Sequence, residues 1–327
     1  MREIQSILML LAKRREFPAV LVTLVQVTGS SYRKPGARLL WFADGTRCGS
    51  ISGGCLEEDV IQHAGQVMAT GRPRVLVYTT TDENDLVWGT GTGCEGSVRL
   101  LLERIPIDRP DWIIRLRANY EANQTTILWS AFEGEALGTS LAAVGGVPVG
   151  TFHHVVSPPQ RLVVFGAGDD VQPLATMAGE LGWRLTLVDT RPAYATPERF
   201  PDAARILTMR PPAGVEQARF DDRTPAIVMT HRYRDDCDIL RALLLTAAPY
   251  VGVLGPRKRT ERLLAEIEAD GFQITAGMRN RLHAPVGLDL GGSTAEAIAL
   301  AVLAEVQARL FNRTAISLRD RAGPVHG

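Results

Sequence analysis

The clearest pattern of apolar and polar positions lies in residues 161–191, RLVVFGAGDDVQPLATMAGELGWRLTLVDTR. A β-rich apolar run ends at Gly166, and together with Gly168 this glycine allows the backbone to turn sharply. Apolar residues then recur at helical spacing as far as Gly182, and a second apolar run ends on Asp189. The pattern predicts a strand, a turn, a helix and a second strand, which is the first unit of a Rossmann fold.

Further apolar runs extend the prediction to the whole chain. In the second half they predict three more strands of a parallel sheet, at residues 205–207, 226–229 and 250–254. In the first half they predict strands at residues 19–27, 37–42, 46–51, 75–81 and 97–103, with helices near residues 56–67 and 108–121. Two prolines in HHVVSPPQ predict a linker. We therefore expect an α/β protein with a mixed α/β domain at residues 1–157 and a Rossmann-like parallel-sheet domain at residues 158–327.

Charge and cysteine content narrow the class of protein. The 36 basic residues balance the 36 acidic ones, so no net field attracts the chain to nucleic acid or to a membrane surface. The N-terminal segment is amphipathic and lacks a cleavage site, and no window approaches a membrane span. The four cysteines form no CxxC pair, which favours a reducing compartment. We expect a cytoplasmic protein without a membrane span and without a nucleic-acid partner.

Cys55 is the first candidate for chemistry. It follows Gly53 and Gly54 and directly precedes a segment with helical spacing. The dipole at a helix N-terminus favours the thiolate form of a thiol, which is the form that binds a metal or accepts sulfur. Two glycines would also let another molecule approach. A small residue packed in a tight turn is an equally good interpretation of this position.

Cys94 lies in a second glycine-rich loop, GTGCEG. Two glycine-flanked cysteines in one domain indicate a shared pocket, with Cys55 and Cys94 as catalytic or metal-binding residues. Cys48 and Cys237 have no such setting, and we expect them to be structural.

A turn with two cations precedes the first cysteine loop. Gly29 and the serines after it stand next to Arg33 and Lys34. Such a turn can form a backbone nest with cationic side chains, a seat for a phosphate or a pterin-type anion. An ordinary turn with solvated charges fits the sequence equally well.

The glycine turn of the second half predicts an anion site. Gly166 and Gly168 would let a pyrophosphate approach a helix N-terminus, and Asp189 stands at the ribose-binding position of a dinucleotide fold. Asp169 and Asp170, however, place two negative charges in the same turn.

Two further positions of the second half are candidate site residues. His231 follows the predicted fourth strand and is expected to face the cleft as an acid or base, with a structural histidine as the alternative. Arg257 and Lys258 begin a helix, where a bound anion would offset their unfavourable interaction with the helix dipole. A solvated basic turn is the alternative there.

Taken together, these motifs resemble the XdhC/CoxI family, the accessory proteins of molybdenum-containing hydroxylases. The resemblance covers nearly the whole chain. It rests on GSSYRKPGARLL, GSISGGCLEEDV, GTGCEG, FGAGDD, VDTRPAYA, MTHRYRDD, YVGVLGPRKR and HAPVGLDLGG. Asp169 departs from the family, which commonly has His there, and Ala295 replaces a common Pro.

The resemblance implies a chaperone that binds molybdenum cofactor, assists its sulfuration by a cysteine desulfurase and delivers it to a hydroxylase subunit such as that of xanthine dehydrogenase. It places Cys55 and Cys94 as the thiols that meet the metal, and Gly166, Gly168 and Asp189 in a nucleotide-type site. An accessory role is favoured over a turnover enzyme, and a homodimer is an open expectation. The alternative is an NAD-dependent oxidoreductase that uses Asp189 and His231. A third interpretation makes the first domain a docking module for a hydroxylase subunit.

Overall fold

The computed structural model describes residues 2–29, 31–80, 96–141 and 150–322. The chain divides into two compact units between Pro159 and Gln160. Among the described residues, no helix combines the length and the apolar character that a membrane span requires.

The first unit is built on an antiparallel five-stranded sheet. Its strands are β1 (Ala19–Gly29), β2 (Arg38–Trp41), β3 (Arg47–Gly49), β4 (Arg74–Thr80) and β5 (Gly96–Ile105). The spatial order is β3-β2-β1-β5-β4, so β1 is central. The predicted run at residues 19–27 is thus the central strand of the sheet, and it is buried from residue 19 to residue 25.

Helices cover both faces of this sheet. They are α1 (Arg2–Lys13), α2 (Glu57–Thr70) and α3 (Asp111–Glu121). Leu21 and Leu40 share one core with α1 and α3, while Val20 and Val22 share another with α2. The alternation follows from the two-residue period of a strand. A small antiparallel sheet of order β7-β6-β8 completes the unit, with β6 (Thr126–Ala131), β7 (Gly138–Ser140) and β8 (Thr151–Val156).

The second unit contains a parallel six-stranded sheet. Its strands are β9 (Arg161–Phe165), β10 (Arg184–Asp189), β11 (Arg205–Thr208), β12 (Ala226–Val228), β13 (Val251–Val253) and β14 (Leu282–His283). Their order is β11-β10-β9-β12-β13-β14, which is the 3-2-1-4-5-6 order of a Rossmann fold. The predicted Rossmann-like sheet and the mixed α/β fold class are confirmed; the short edge strand β14 was not predicted.

Helices pack on both faces of the parallel sheet. They are α4 (Val171–Glu180), α5 (Pro211–Ala218), α6 (Tyr233–Leu244), α7 (Arg257–Ala269), α8 (Ala276–Asn280) and α9 (Ala295–Leu310). Leu162 and Val164 of β9 face a core formed with α4 and α9, while Val163 and Phe165 face a core formed with α6 and α7. The central strands are therefore apolar on both faces, which explains their continuous apolar runs.

A buried carboxylate joins three elements of this unit. Glu305 of α9 accepts a hydrogen bond from the Tyr250 hydroxyl at 2.6 Å and from the backbone N–H of Gly287 at 2.8 Å. Its other oxygen lies 3.0 Å from Nδ1 of His283, and the His283 ring stacks on that of Tyr250. Burial lowers the pKa of His283, although Glu305 opposes this effect.

Candidate functional site

Cys55 lies at the surface of the first unit. Its side chain is exposed, two residues before the start of α2. The backbone at Gly54 has φ +112°, and a Cβ built there would meet no atom within 4 Å. The thiol and the bare backbone beside it are therefore accessible to another molecule. The predicted position before a helix is correct, whereas the alternative of a buried small residue does not describe this cysteine.

Glu57 organises the loop that carries Cys55. Its Oε1 atom accepts hydrogen bonds from the Ser50 hydroxyl at 2.8 Å and from the N–H groups of Ile51 at 3.2 Å and Ser52 at 3.0 Å. Its Oε2 atom accepts from the Ser52 hydroxyl and from the N–H of Gly54 at 3.1 Å. Burial opposes ionisation, yet the hydrogen bonds from Ser52 and Ser50 outweigh it and lower the pKa of Glu57 to about 2. The loop therefore surrounds a carboxylate.

Sequence reasoning missed this residue. It assigned Glu57 only to a helical segment, because an acidic residue is ordinary in the first turn of a helix. The signal that could have identified it is the run of serines and glycines before it, since small residues leave several backbone donors free to converge on one acceptor.

The segment with two predicted anion-binding cations lies beside the same loop. The Tyr32 ring is exposed and would contact a Cβ placed on Gly53 at 3.7 Å. Arg33 forms an ion pair with Glu3 of α1, and Lys34 is exposed. Because Glu3 neutralises Arg33, the turn offers a bound anion less positive charge than the sequence indicated.

The other cysteines differ in their surroundings. Cys48 is half-buried in β3, and burial raises the pKa of its thiol. Cys237 is buried in α6, and burial raises the pKa of its thiol as well. Both settings agree with the expected structural role. Cys94 and the rest of its loop as far as residue 95 lie outside the described residues.

The crevice of the second unit lies where the strand order reverses, between β9 and β12. Gly166 follows β9 with φ +123°, and a Cβ on it would lie closer than 3.0 Å to the carbonyl of Met229. The backbone N–H of Met229 in turn donates to the carbonyl of Phe165 at 2.8 Å. Gly166 is thus required by the close approach of the chain after β12, whether or not a ligand is bound.

Asp189 is occupied by groups of its own chain. Its Oδ2 atom accepts a hydrogen bond from the N–H of Ala167 at 2.7 Å and from Nη2 of Arg191 at 2.7 Å. Its Oδ1 atom accepts from the N–H and from Nε of Arg191, at 2.8 and 2.9 Å. Burial would raise the pKa of Asp189, but the bonds from Arg191 outweigh it and the pKa is lowered. A carboxylate with four donors has little capacity left for the ribose diol that was predicted as its partner.

Asp170 and His231 meet across the crevice. Oδ2 of Asp170 lies 2.7 Å from Nε2 of His231, and its other oxygen lies against Gly168, where a Cβ would be closer than 3.0 Å to it. His231 adopts φ +59° and its side chain is largely exposed. The prediction that His231 faces the cleft is consistent with this contact. The Asp170 carboxylate, however, lies on the turn that a pyrophosphate would approach.

Two arginines link the loops that follow the strands at this crevice. Arg232 donates from Nη1 to the Thr190 hydroxyl at 2.9 Å, so it reaches from the end of β12 past β9 to the end of β10. Arg199 donates to Asp169 at 2.5 Å and to the Ala167 carbonyl at 2.9 Å. These contacts join the loops after three adjacent strands.

Arg257 and Lys258 begin α7 with exposed side chains, as the sequence predicted. Their neighbour Arg259 is instead paired with the buried Asp236, at 2.7 Å. The two exposed cations at this N-terminus are free of ion pairs with other described residues, and their role in anion binding stays a prediction.

No preformed cluster of three or more His, Cys, Asp or Glu side chains suited to a metal ion occurs within the described residues. Cys55 would therefore bind a metal as a single exposed thiol ligand, and the other ligands of that metal would come with the molecule that carries it. The glycine turn and Asp189 do not fit NAD as the sequence predicted. The Asp170 carboxylate lies where the pyrophosphate would bind, and Asp189 already accepts four hydrogen bonds from its own chain.

Comparison with known proteins identifies the family. Residues 12–79 match the model of the XdhC and CoxI family, and residues 162–306 match the XdhC Rossmann domain. A probable xanthine dehydrogenase subunit from Bacillus subtilis is 32% identical over 88% of this chain and 92% of its own length. The molybdenum cofactor insertion chaperone PaoD of Escherichia coli is 26% identical over 88% of this chain and 82% of its own.

A solved structure agrees with these matches. The crystal structure of a protein described as a xanthine dehydrogenase from Bacillus halodurans superposes with a TM-score of 0.81 and 31% identity. The match covers 96% of this chain and 97% of that one. With nearly full-length similarity above 30% identity and a family model matched in each unit, the chain belongs to the XdhC and CoxI family.

Proposed function

We propose that this protein is a maturation chaperone that binds molybdenum cofactor and passes it to a molybdenum hydroxylase. Its similarity to an insertion chaperone for this cofactor, over most of both chains, supports the proposal. The cofactor is cargo that the protein receives and releases, so an accessory role fits better than a turnover enzyme.

The observation that carries the proposal is the exposed thiol of Cys55 on an anchored loop. A thiolate is a soft ligand, of the kind that binds softer transition metals. A Cβ at Gly54 would meet no atom within 4 Å, so the missing side chain leaves space for a bulky ligand next to the sulfur, while the exposed Tyr32 ring lies against Gly53. In this proposal Cys55 meets the metal, and Cys94 is the second thiol.

The proposal also covers the sulfuration of the cofactor, its transfer and the cations that bind it. A cysteine desulfurase would supply sulfur for the bound cofactor, and a hydroxylase subunit of the xanthine dehydrogenase type would receive the sulfurated product. Arg257 and Lys258 are the cations proposed to meet an anionic part of a ligand in the second unit, because their side chains are exposed at a helix N-terminus. Lys34 is the corresponding candidate in the first unit.

The test is the cofactor content of the protein purified anaerobically from cells that make molybdenum cofactor. We expect molybdenum and pterin in the wild-type protein and a loss of both in Cys55→Ser. Cys48→Ser is the matched control, because that half-buried thiol lies in β3 and outside the loop. A protein that carries neither molybdenum nor pterin, or equal losses in the two variants, would contradict the proposal.

A further inference from the structure

The backbone on both sides of Cys55 is anchored on one buried side chain. Gly54, the residue before it, donates its N–H to Glu57 at 3.1 Å and to the Ser52 hydroxyl oxygen at 3.2 Å. Leu56, the residue after it, donates its N–H to the same Ser52 oxygen at 3.2 Å. Ser52 in turn donates its hydroxyl to Glu57. Cys55 is therefore held between two residues that lead to a single carboxylate.

The residues that precede the glycines of the loop, 50–52, are bound to the same carboxylate. The Ser50 hydroxyl and the N–H groups of Ile51 and Ser52 all donate to Oε1 of Glu57. Converging backbone donors of this kind form an anion-binding nest. Here the anion is a side chain of the protein, the Glu57 carboxylate, which accepts from the N–H groups of Ile51, Ser52 and Gly54. The loop thus has its geometry before any ligand arrives.

We propose that Glu57 is the positioning residue for Cys55: it holds the glycine loop so that the thiol is presented to the ligand in one geometry. This proposal rests on the function proposed for Cys55. It adds that the Glu57 carboxylate holds the Cys55 thiol in the position in which it binds the ligand. Glu58 provides a contrast, because it lies in the same first turn of α2 but is exposed and forms no hydrogen bond to the loop among the described residues.

Two full-length variants and a control test this role. Glu57→Ala removes the acceptor and leaves a space that formate can enter, whereas Glu57→Gln keeps the size but turns a donor toward the loop. Glu58→Ala removes an equal charge without touching the loop. The readouts are the retained molybdopterin and the rate at which iodoacetamide alkylates Cys55, measured by mass spectrometry of proteolytic peptides. Thermal unfolding identifies the variants that fold.

We expect both Glu57 variants to retain at least about fivefold less molybdopterin, since small displacements of a positioned group have large effects. The alkylation rate of Cys55 should change at least about threefold, because the released loop no longer holds the exposed thiol in one geometry. Formate should reverse both effects in Glu57→Ala and neither in Glu57→Gln, and Glu58→Ala should behave as wild type.

The inference is overturned if Cys55 in the folded Glu57 variants is alkylated at the rate found in Glu58→Ala, or if formate does not restore Glu57→Ala. Should Glu57→Ala fail to fold, wild-type values in Glu57→Gln would overturn it as well. Absence of molybdopterin from the wild-type protein would instead contradict the proposed function, while the alkylation rates would still decide the role of Glu57.

Discussion

His231 and Asp170 lie on loops that follow different strands, and their side chains meet at 2.7 Å across the crevice of the parallel sheet. The contact places a carboxylate on the glycine turn, where a dinucleotide fold binds phosphate. The second unit thus has the strand order of a Rossmann fold, but the charge at its turn has the wrong sign for a pyrophosphate.

This geometry predicts poor binding of NAD. We expect no more than weak binding to the wild-type protein and an affinity about tenfold higher in Asp170→Ala, because removing a nearby like charge favours an anion. Isothermal titration calorimetry with NAD and NADP measures the change. Glu216→Ala is the control, since Glu216 is an exposed acid near the C-terminal end of α5 and outside the glycine turn. Tight NAD binding to the wild type would contradict this expectation and favour the oxidoreductase alternative.

A buried polar network in the first unit predicts two opposite dependences of stability on pH. His154 accepts a hydrogen bond at Nδ1 from Arg38 at 2.9 Å, and burial, reinforced by the charge of Arg38, lowers the pKa of His154 to about 4. Burial raises the pKa of Glu103 to about 7, although its bond from Thr139 opposes the shift. The neutral His154 therefore contributes stability above pH 6.5 that is lost as the pH falls through 4. Glu103 contributes stability below pH 4.5 that is lost as the pH rises through 7.

The two groups should compensate each other between pH 4.5 and 6.5 in the wild type. In His154→Gln only the titration of Glu103 remains, so the free energy of unfolding should decrease with rising pH relative to wild type. In Glu103→Gln only the titration of His154 remains, so the free energy of unfolding should increase with rising pH relative to wild type. Each difference should be on the order of 1 kcal/mol per pH unit. Urea unfolding at several pH values measures both, and slopes of the same sign in the two variants would exclude this account.

The sequence predicts features that depend on neighbouring residues, and it does not predict contacts that form only in the folded chain. The β9 to β10 unit was predicted correctly because its strands are apolar on both faces and its helix starts after Gly168, which are local signals. The partners of Asp189 were not predicted, because the choice between a ribose and Arg191 depends on a side-chain conformation. Glu57 was missed for a related reason: its five donors become neighbours only when the loop has folded.

Glu305 should be important for the stability of the second unit. Its removal leaves the Tyr250 hydroxyl and the Gly287 N–H without their acceptor, and an unsatisfied buried polar group costs about 1–3 kcal/mol. We expect Glu305→Ala to lower the free energy of unfolding by at least about 2 kcal/mol. Gln307→Ala, at an exposed position of the same helix, should change it by less than about 0.5 kcal/mol. Chemical denaturation compares the two, and equal effects would show that the Glu305 contacts contribute little.

The two glycines of the turn after β9 should differ in their tolerance of a side chain, although both have the same role in the predicted anion site. Gly166 has φ +123° and a Cβ there would collide with the backbone of Met229, which cannot move without separating β9 from β12. Gly166→Ala should therefore destabilise the protein by at least about 2 kcal/mol. At Gly168 the atom in the way is the carboxylate end of Asp170, a flexible side chain that can rotate. Gly168→Ala should cost less than about 1 kcal/mol, mainly through loss of the contact between Asp170 and His231. Thermal and urea unfolding of the two variants measure the difference. Equal destabilisation would mean that the turn is rigid as a whole, and that Asp170 is fixed in place over it.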